Sequence, residues 1–173
     1  MHVIVDVEAD GPCPGMYSMI EVGMVVVTAD GPGPPFWSTL RPMTDLFVEG
    51  ALSSIGTTRE KTLTYFEPRE TMLRAVAWLD EQAHGEKMIF WSDNNGFDWS
   101  FWNYYCHYFV GVNPFGFSSR RISDLYSGLT HDLRGGTKWK SLRKTKHSHN
   151  ALDDAMGNAE AFTEILKRNN LRI

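Results

Sequence analysis

The amino-acid sequence predicts an α/β domain in which a mixed sheet is flanked by helices. Strand-like runs come first along the chain, and later segments alternate between strand and helix patterns, as expected of this fold class. The chain has 173 residues, and a chain of this length buries roughly 70% of the surface that its unfolded form exposes. Because no repeat, low-complexity tract or long linker divides the sequence, we predict one domain over residues 1–173.

The first three predicted strands are residues 3–7, 20–28 and 36–40. Each run is rich in β-branched or aromatic side chains. Glycines and prolines cluster between the runs, which favours turns. We therefore expect the three strands to be antiparallel neighbours.

The second part of the chain alternates between helix and strand patterns. Apolar residues at helical spacing predict helices over residues 68–81 and 150–168. Short strands are predicted over residues 87–91 and 120–124. The aromatic-rich residues 97–109 are interpreted as a helix, with most rings in the core and a few left for a substrate or a partner chain.

The composition excludes several classes of protein. Cys13 and Cys106 lack the CxxC spacing of a structural zinc site, which favours a reducing compartment and a cytoplasmic location. The apolar run over residues 19–27 is interrupted by Glu21 and is far shorter than the roughly 20 residues of a membrane span. Acids over residues 6–10 do not fit a signal peptide. We expect no membrane partner.

The charge is distributed unevenly. The chain carries 17 basic and 21 acidic residues, and residues 134–149 contain six of the bases and no acid. A basic block in an acidic protein favours a polyanionic partner, and a solvated loop is the alternative interpretation. The six are Arg134, Lys138, Lys140, Arg143, Lys144 and Lys146.

Two acids lie close together on the first predicted strand. Asp6 and Glu8 are two residues apart, so their side chains share one face, about 7 Å apart at the backbone. Val5 and Val7 face the opposite way. Two buried acids repel each other unless a cation neutralises them. The alternative is that the strand has already ended and both acids are solvated.

Acids also stand at the start of two predicted helices. Asp98 is suited to be the N-cap of the aromatic helix, and Asp153 and Asp154 complement the dipole of the last helix. Read alone, His149 is typical of a surface histidine. Each of these residues therefore has a purely structural explanation.

The order and spacing of these motifs resemble the DEDDh branch of the DnaQ-like 3′–5′ exonucleases. The resemblance covers nearly the whole chain. It implies a ribonuclease H-like, five-stranded mixed sheet in the order 3-2-1-4-5 with helices on both faces. The motifs are Asp6-x-Glu8, Ile20-Glu21-Val22-Gly23, Asn94-x-x-Phe97-Asp98, and His149 followed five residues later by Asp154.

The resemblance also implies roles for the acids. Four carboxylates would hold two divalent ions, with Asp6 bridging both, Glu8 and Asp154 at one ion and Asp98 at the other. Paired cations stabilise the charge that develops during phosphodiester hydrolysis. Hard oxygen ligands suit Mg²⁺ or Mn²⁺.

His149 is the implied general base, since imidazole exchanges protons near neutral pH. We favour it over His147. Asp154 is preferred to Asp153 as the ligand because the family places the acid five residues after the histidine.

Other residues are expected to contact the nucleic acid. Phe97 would pack against a base, backbone groups at Ala9 would approach the terminal sugar, and Asn94 matches the second motif and would order that turn. Trp139 adds a stacking surface, whereas Asp10 departs from the family pattern and places a negative charge near the entrance. The expected phosphate contacts are Lys138, Lys140, Arg143, Lys144 and Lys146.

These observations predict a metal-dependent 3′–5′ exonuclease that releases nucleoside 5′-monophosphates from single-stranded ends. RNA is the favoured substrate, because a single domain with no polymerase or binding module attached resembles the stand-alone exoribonucleases and ribonuclease T-like proteins. A DNA exonuclease or proofreading-type nuclease is the nearest alternative, and a non-catalytic nucleic-acid-binding module is a further one. A metabolic α/β enzyme would need a Gly-rich phosphate loop, which the segment over residues 11–15 does not match. The family includes monomers and homodimers, so a homodimer is compatible with the sequence.

Overall fold

Five strands form one mixed sheet in the order β3-β2-β1-β4-β5 in the computed structural model, which describes residues 1–172. The central strand β1 pairs antiparallel with β2 and parallel with β4. Strand β3 is antiparallel to β2, and β5 is parallel to β4. The predicted fold class and strand order are therefore confirmed. The strands are β1 (His2–Ala9), β2 (Met19–Val27), β3 (Pro32–Thr39), β4 (Ile89–Ser92) and β5 (Ser119–Arg121).

Helices cover both faces of the sheet. Helix α4 continues into a short π-helix, Cys106–Val110, and a 3₁₀ turn, Lys138–Leu142, precedes the last helix. No helix among residues 1–172 is both long and apolar enough to cross a membrane. The α-helices are α1 (Glu49–Ile55), α2 (Arg59–Thr62), α3 (Pro68–Ala83), α4 (Asn95–Tyr105), α5 (Ile122–Thr130) and α6 (Ala151–Arg168).

The alternation of side chains along β1 separates two apolar layers. Val3, Val5 and Val7 pack in one layer with α3 and α4, whereas Ile4 packs in the other layer with α6. Residues two apart share a face of a strand, so Asp6 and Glu8 lie on the α6 side. This alternation directs both acids toward the first turn of α6.

Gly23 on β2 lets α6 begin close to the sheet. A Cβ at this position would stand only 2.5 Å from the backbone nitrogen of Leu152 and nearer still to the Ala151 carbonyl. A larger residue would therefore push the start of α6 away from β1.

The structure corrects several predicted elements. The strand predicted over residues 120–124 ends at Arg121, and the chain continues directly into α5. Strand β3 begins at Pro32, earlier than predicted, because an edge strand tolerates prolines. Helices α1 and α2 were not predicted. The remaining predicted strands and helices are present, with ends that differ by a few residues.

Candidate active site

Three predicted acids meet where β1 approaches α6. Asp6 and Glu8 from β1 and Asp154 from α6 each offer an oxygen, and these three atoms lie within 4.8 Å of one another. Asp154 is buried, and the two strand acids are partly buried. Asp153, by contrast, is exposed and bonds to the Ser148 hydroxyl at 3.1 Å. The structure thus brings Asp154, and not Asp153, to the strand acids.

Asp98 lies on the other side of β1, in the first turn of α4. Its side chain is buried, and its Oδ1 accepts the Val7 backbone N–H at 3.2 Å. Its Oδ2 has no hydrogen-bond partner among residues 1–172. Asp98 is outside the three-residue group, although its charge helps to raise the pKa of Asp6.

Burial and mutual repulsion disfavour ionisation of these acids. Burial raises the pKa of Asp6 well above its ordinary value, with further contributions from Asp98 and Glu8. The pKa of Glu8 is raised to about 8, mainly by burial and next by the charge of Asp154. Burial is also the main reason that the pKa of Asp98 is raised to about 8. Folding has therefore placed acids together at a cost in free energy that a cation would offset.

The donor set fits divalent cations. Carboxylate oxygens are the hard ligands that Mg²⁺ and Mn²⁺ prefer. The free Oδ2 of Asp98 is a buried oxygen of this type. No cysteine takes part in the three-residue group, so a thiolate zinc centre does not fit these residues.

Asp154 is held by several donors. Its Oδ1 lies 2.6 Å from Arg143 Nη2 and 2.8 Å from His147 Nδ1. Its Oδ2 accepts the backbone N–H of His149 at 3.0 Å. These contacts were not predicted from the sequence, because they depend on how residues 143–149 pack against the start of α6.

His149 stands at the rim of the acid cluster. Its Nδ1 is 3.9 Å from Glu8 Oε1, and its side chain is half exposed. Its backbone adopts a left-handed conformation, with φ of 57°, which is uncommon for a residue with a side chain. The His147 ring lies beside it, with 4.2 Å between the ring centres.

Glu21 on β2 fixes the backbone that follows His149. Its Oε1 accepts Asn150 Nδ2 at 2.7 Å and the Ala151 backbone N–H at 3.3 Å, and it also accepts the Trp37 indole N–H. Asn150 in turn caps α6 through the backbone N–H groups of its first turn. Glu21 entered the sequence interpretation only as part of a motif, and its contact with the helix start was missed.

A cavity of about 360 Å³ opens beside the acids. Four of its wall residues were site predictions, namely Glu8, Ala9, Phe97 and His149. Helix α1 supplies an apolar wall that the sequence analysis missed. The wall residues from this region are Val48, Ala51, Ser54 and Ile55.

Asp10 lies between two residues of the cavity wall, Ala9 and Gly11, but, contrary to the expectation, it does not present its charge to the entrance. It is fully buried, and its Oδ2 lies 3.0 Å from Arg59 Nη1. Its backbone oxygen accepts the Val48 N–H at 2.7 Å. Asp10 thus anchors the segment that carries the α1 wall.

The second motif is ordered by backbone contacts. The Asn94 carbonyl accepts the N–H groups of Phe97 and Asp98 at 2.8 and 3.0 Å. Phe97 is partly buried, packs on Phe101 with 4.9 Å between ring centres, and also lines the cavity.

The lysines of the basic segment differ in whether they pair with an acid. Lys138 pairs with Asp132 at 2.9 Å and Lys140 with Asp93 at 2.5 Å, whereas Lys144 and Lys146 form no ion pair within residues 1–172. A second cavity of about 320 Å³ has a basic wall that contains no acid. Lys138 does not line this cavity. The wall consists of Lys140, Arg143, Lys144, Thr145, Lys146 and His147.

Trp139 is not a stacking surface. It is fully buried in the layer beneath α6, and its indole N–H donates to the Ser123 hydroxyl at 3.0 Å. Burial of a large aromatic side chain outweighs the polarity of its two lysine neighbours in the sequence.

Known proteins resemble this chain along nearly its whole length. The 3′–5′ DNA exonuclease Cap18 of Escherichia coli is 36% identical over 174 residues, which cover 96% of this chain and 92% of Cap18. No family model matches the chain.

Solved structures share the fold. The nuclease domain of 3′hExo, a DEDDh family member bound to rAMP, superposes with a TM-score of 0.77 at 19% identity, covering 99% of this chain and 94% of that domain. The zinc-bound complex of E. coli ExoI with single-stranded DNA superposes with a TM-score of 0.76 at 16% identity, covering 98% of this chain and 41% of ExoI. Since its 36% identity to Cap18 extends over almost the full length, the chain belongs to the DEDDh branch of the DnaQ-like 3′–5′ exonuclease family.

Proposed function

We propose that this 3′–5′ exonuclease removes nucleoside 5′-monophosphates from the 3′ ends of single-stranded DNA, using divalent metal ions and a histidine base. One observation carries the proposal. The group of three acid oxygens within 4.8 Å stands at the edge of the 360 Å³ cavity, which is large enough for a terminal nucleoside. Glu8 belongs to both the acid group and the cavity wall.

The metal would be Mg²⁺ or Mn²⁺, held as two ions by Asp6, Glu8, Asp98 and Asp154. When bound, such ions stabilise negative charge on phosphate oxygens and lower the pKa of a water molecule. The raised pKa values of Glu8 and Asp98 support this assignment, because cations would keep both groups ionised at neutral pH.

His149 would accept the proton of the attacking water. Its imidazole is half exposed, lies next to Glu8 and lines the cavity. A general base must lie within hydrogen-bond reach of the water that it deprotonates, and the position of His149 beside Glu8 and the cavity supports this role. His147 is a poorer candidate because its Nδ1 is engaged by Asp154 at 2.8 Å.

The sequence favoured RNA, but two observations favour DNA. Cap18, at 36% identity, is named a DNA exonuclease. The cavity wall is also mainly apolar at Ala9, Pro12, Ala51 and Ile55, which suits a base and a deoxyribose. A ribose adds a 2′-hydroxyl, and a buried hydroxyl needs a hydrogen-bond partner.

The strand beyond the terminal nucleotide would pass over the basic cavity beside Asp154. Lys140, Lys144 and Lys146 line this cavity and would contact backbone phosphates. Binding by such contacts weakens as the salt concentration rises.

The test uses 5′-labelled single-stranded DNA and RNA of one sequence, incubated with Mg²⁺, Mn²⁺ or EDTA. We expect a metal-dependent ladder that shortens from the 3′ end and forms faster on DNA. Asp6→Ala should abolish it, and His149→Ala should slow it by about 100-fold or more. Asp153→Asn is the matched control, because Asp153 is exposed and lies outside the acid group.

Each part of the proposal has its own contrary outcome. Faster shortening of RNA would overturn the choice of DNA. A cleavage rate for His149→Ala equal to that of the wild type would overturn the assignment of His149 as the general base. Absence of cleavage with either metal, together with salt-sensitive binding, would favour the non-catalytic binding module.

A further inference from the structure

Arg143 was expected to contact phosphates, and it does line the basic cavity, but its head group lies against Asp154. The side chain is only 8% exposed. Its Nη2 contacts the carboxylate of Asp154 at 2.6 Å and the backbone oxygen of the same residue at 3.4 Å. Arg143 therefore grips both the side chain and the main chain of one residue in the first turn of α6.

Gly157 makes room for this arrangement. It lies one helical turn after Asp154, and a Cβ there would stand 2.8 Å from Arg143 Nη2 and closer still to Nε. It would also stand 2.7 Å from the carbonyl oxygen of Thr145. No real Cβ fits at these distances, so the glycine leaves a notch that the guanidinium occupies.

The ion pair is buried on both sides. Asp154 has a side chain that is 2% exposed, and the two strand acids lie close by. A buried carboxylate without a partner is costly, whereas a guanidinium restricts its orientation through directed N–H donors. Loss of a side chain that hydrogen-bonds a ligating carboxylate typically costs about 10- to 100-fold in metal affinity or activity.

We propose that Arg143 is a positioning residue, which sits in the Gly157 notch and orients the Asp154 carboxylate toward Asp6 and Glu8. This inference rests on the proposed metal-dependent function. A positioning role and a phosphate contact predict different effects when the Arg143 side chain is removed. A positioning role affects metal binding without nucleic acid and lowers kcat, whereas a phosphate contact affects KM and the salt dependence of binding.

The experiment measures Mn²⁺ binding by calorimetry in the absence of nucleic acid, and then kcat and KM on single-stranded DNA. Arg143→Met should weaken Mn²⁺ binding by about 10-fold and lower kcat by about 10- to 100-fold, with little change in KM. Arg143→Lys keeps the charge but loses the planar guanidinium whose Nη2 contacts both the carboxylate and the backbone oxygen of Asp154, so it should recover only part of both losses. Lys144→Met is the contrasting variant, because Lys144 lines the basic cavity and pairs with no acid within residues 1–172. It should raise KM and leave Mn²⁺ binding as in the wild type.

Gly157→Ala supplies a second route, because it keeps the arginine and fills its notch. We expect it to weaken Mn²⁺ binding in the same direction as Arg143→Met. Circular dichroism identifies any variant that fails to fold, and if Arg143→Met fails, Arg143→Lys carries the test.

Wild-type Mn²⁺ affinity in the folded Arg143 variants, with a raised KM, would overturn the inference and restore the phosphate contact. If the wild-type protein itself binds no Mn²⁺, the proposed metal dependence fails instead. The two failures are therefore distinguishable.

Discussion

Glu21 illustrates how single residues prepare the site without facing the substrate. It is a buried acid that is satisfied by N–H donors from Trp37, Asn150 and Ala151. Burial raises its pKa, and the donated hydrogen bonds counteract part of that rise. Because Asn150 and Ala151 follow His149 directly in the chain, Glu21 holds the backbone from which the imidazole projects.

Replacing Glu21 separates its acceptor role from its charge. Glu21→Leu removes the acceptor and leaves the buried Ala151 N–H unpaired, at about 1–3 kcal/mol, and it also removes the part-buried bonds from Trp37 and Asn150. We expect a fall in melting temperature and in kcat. Glu21→Gln keeps a carbonyl oxygen and should lie much closer to the wild type in both measurements. Equal behaviour of the two variants in thermal unfolding and single-strand cleavage would contradict this account.

At this scale, motif spacing predicted the acids and His149, because the family resemblance rests on short sequence patterns. It did not predict their partners. Arg143 and His147 contact Asp154 from a loop, and Glu21 reaches Asn150 across 129 positions of sequence. Such contacts depend on tertiary packing, and the local pattern around each residue does not encode it. Trp139 shows the same limit, since its burial depends on α5 and α6.

Among the secondary-structure elements, α1 depends most on contacts outside itself. It has seven residues, no side-chain N-cap and one buried side chain, Leu52. Helices this short are unstable in isolation. The segment is instead fixed by Asp10, which binds the Val48 N–H through its backbone and Arg59 through its side chain.

Breaking the Asp10–Arg59 pair should have unequal effects on its two sides. Arg59→Met leaves a fully buried carboxylate without its counter-charge, although its Oδ1 still accepts the Ser18 N–H, and we expect a cost of about 3–5 kcal/mol, or roughly 10 °C in melting temperature for a chain of this size. Asp10→Asn removes the buried charge and should cost less. Both changes loosen the α1 wall, so we expect KM to rise more than kcat falls.

Arg41→Met is the matched control for that comparison. Arg41 forms an ion pair with Glu67 in which both side chains are about half exposed. Exposed pairs contribute about 0–1 kcal/mol, so thermal unfolding should barely change. A melting temperature for Arg59→Met as high as that of Arg41→Met would contradict the buried pair.

Elements with strong periodicity were predictable from the sequence, and those defined by packing were not. The valine-rich strands β1 and β2 and the long helix α6 carry continuous patterns. Strand β5 has only three residues, and the sequence does not mark the change to α5 at Ile122. Helix α1 lacks the caps that identify helix starts, and tertiary contacts take their place.

For the whole molecule, the acid cluster links folding to pH and to metal. Glu8 and Asp98 have ordinary pKa values of 4.5 and 3.8, and folding raises both to about 8. At pH values between the ordinary and the raised pKa values, the folded chain binds more protons than the unfolded chain. The free energy of unfolding therefore falls as pH rises through this window, provided no metal is bound.

Thermal unfolding at pH 6 and pH 8 tests this linkage. In EDTA we expect the melting temperature to be lower at pH 8 than at pH 6, because the folded chain keeps protons in this interval that the unfolded chain has already lost. Mg²⁺ binds the ionised acids, so it should raise the melting temperature more at pH 8 than at pH 6. Asp98→Asn removes one of the titrating carboxyl groups and keeps an oxygen for the Val7 N–H, so its melting temperature in EDTA should depend less on pH and respond less to Mg²⁺. If the melting temperatures of the wild type and Asp98→Asn depend equally on pH in EDTA, Asp98 does not contribute to the pH dependence of stability. If Mg²⁺ stabilises both proteins equally, Asp98 is not a metal ligand.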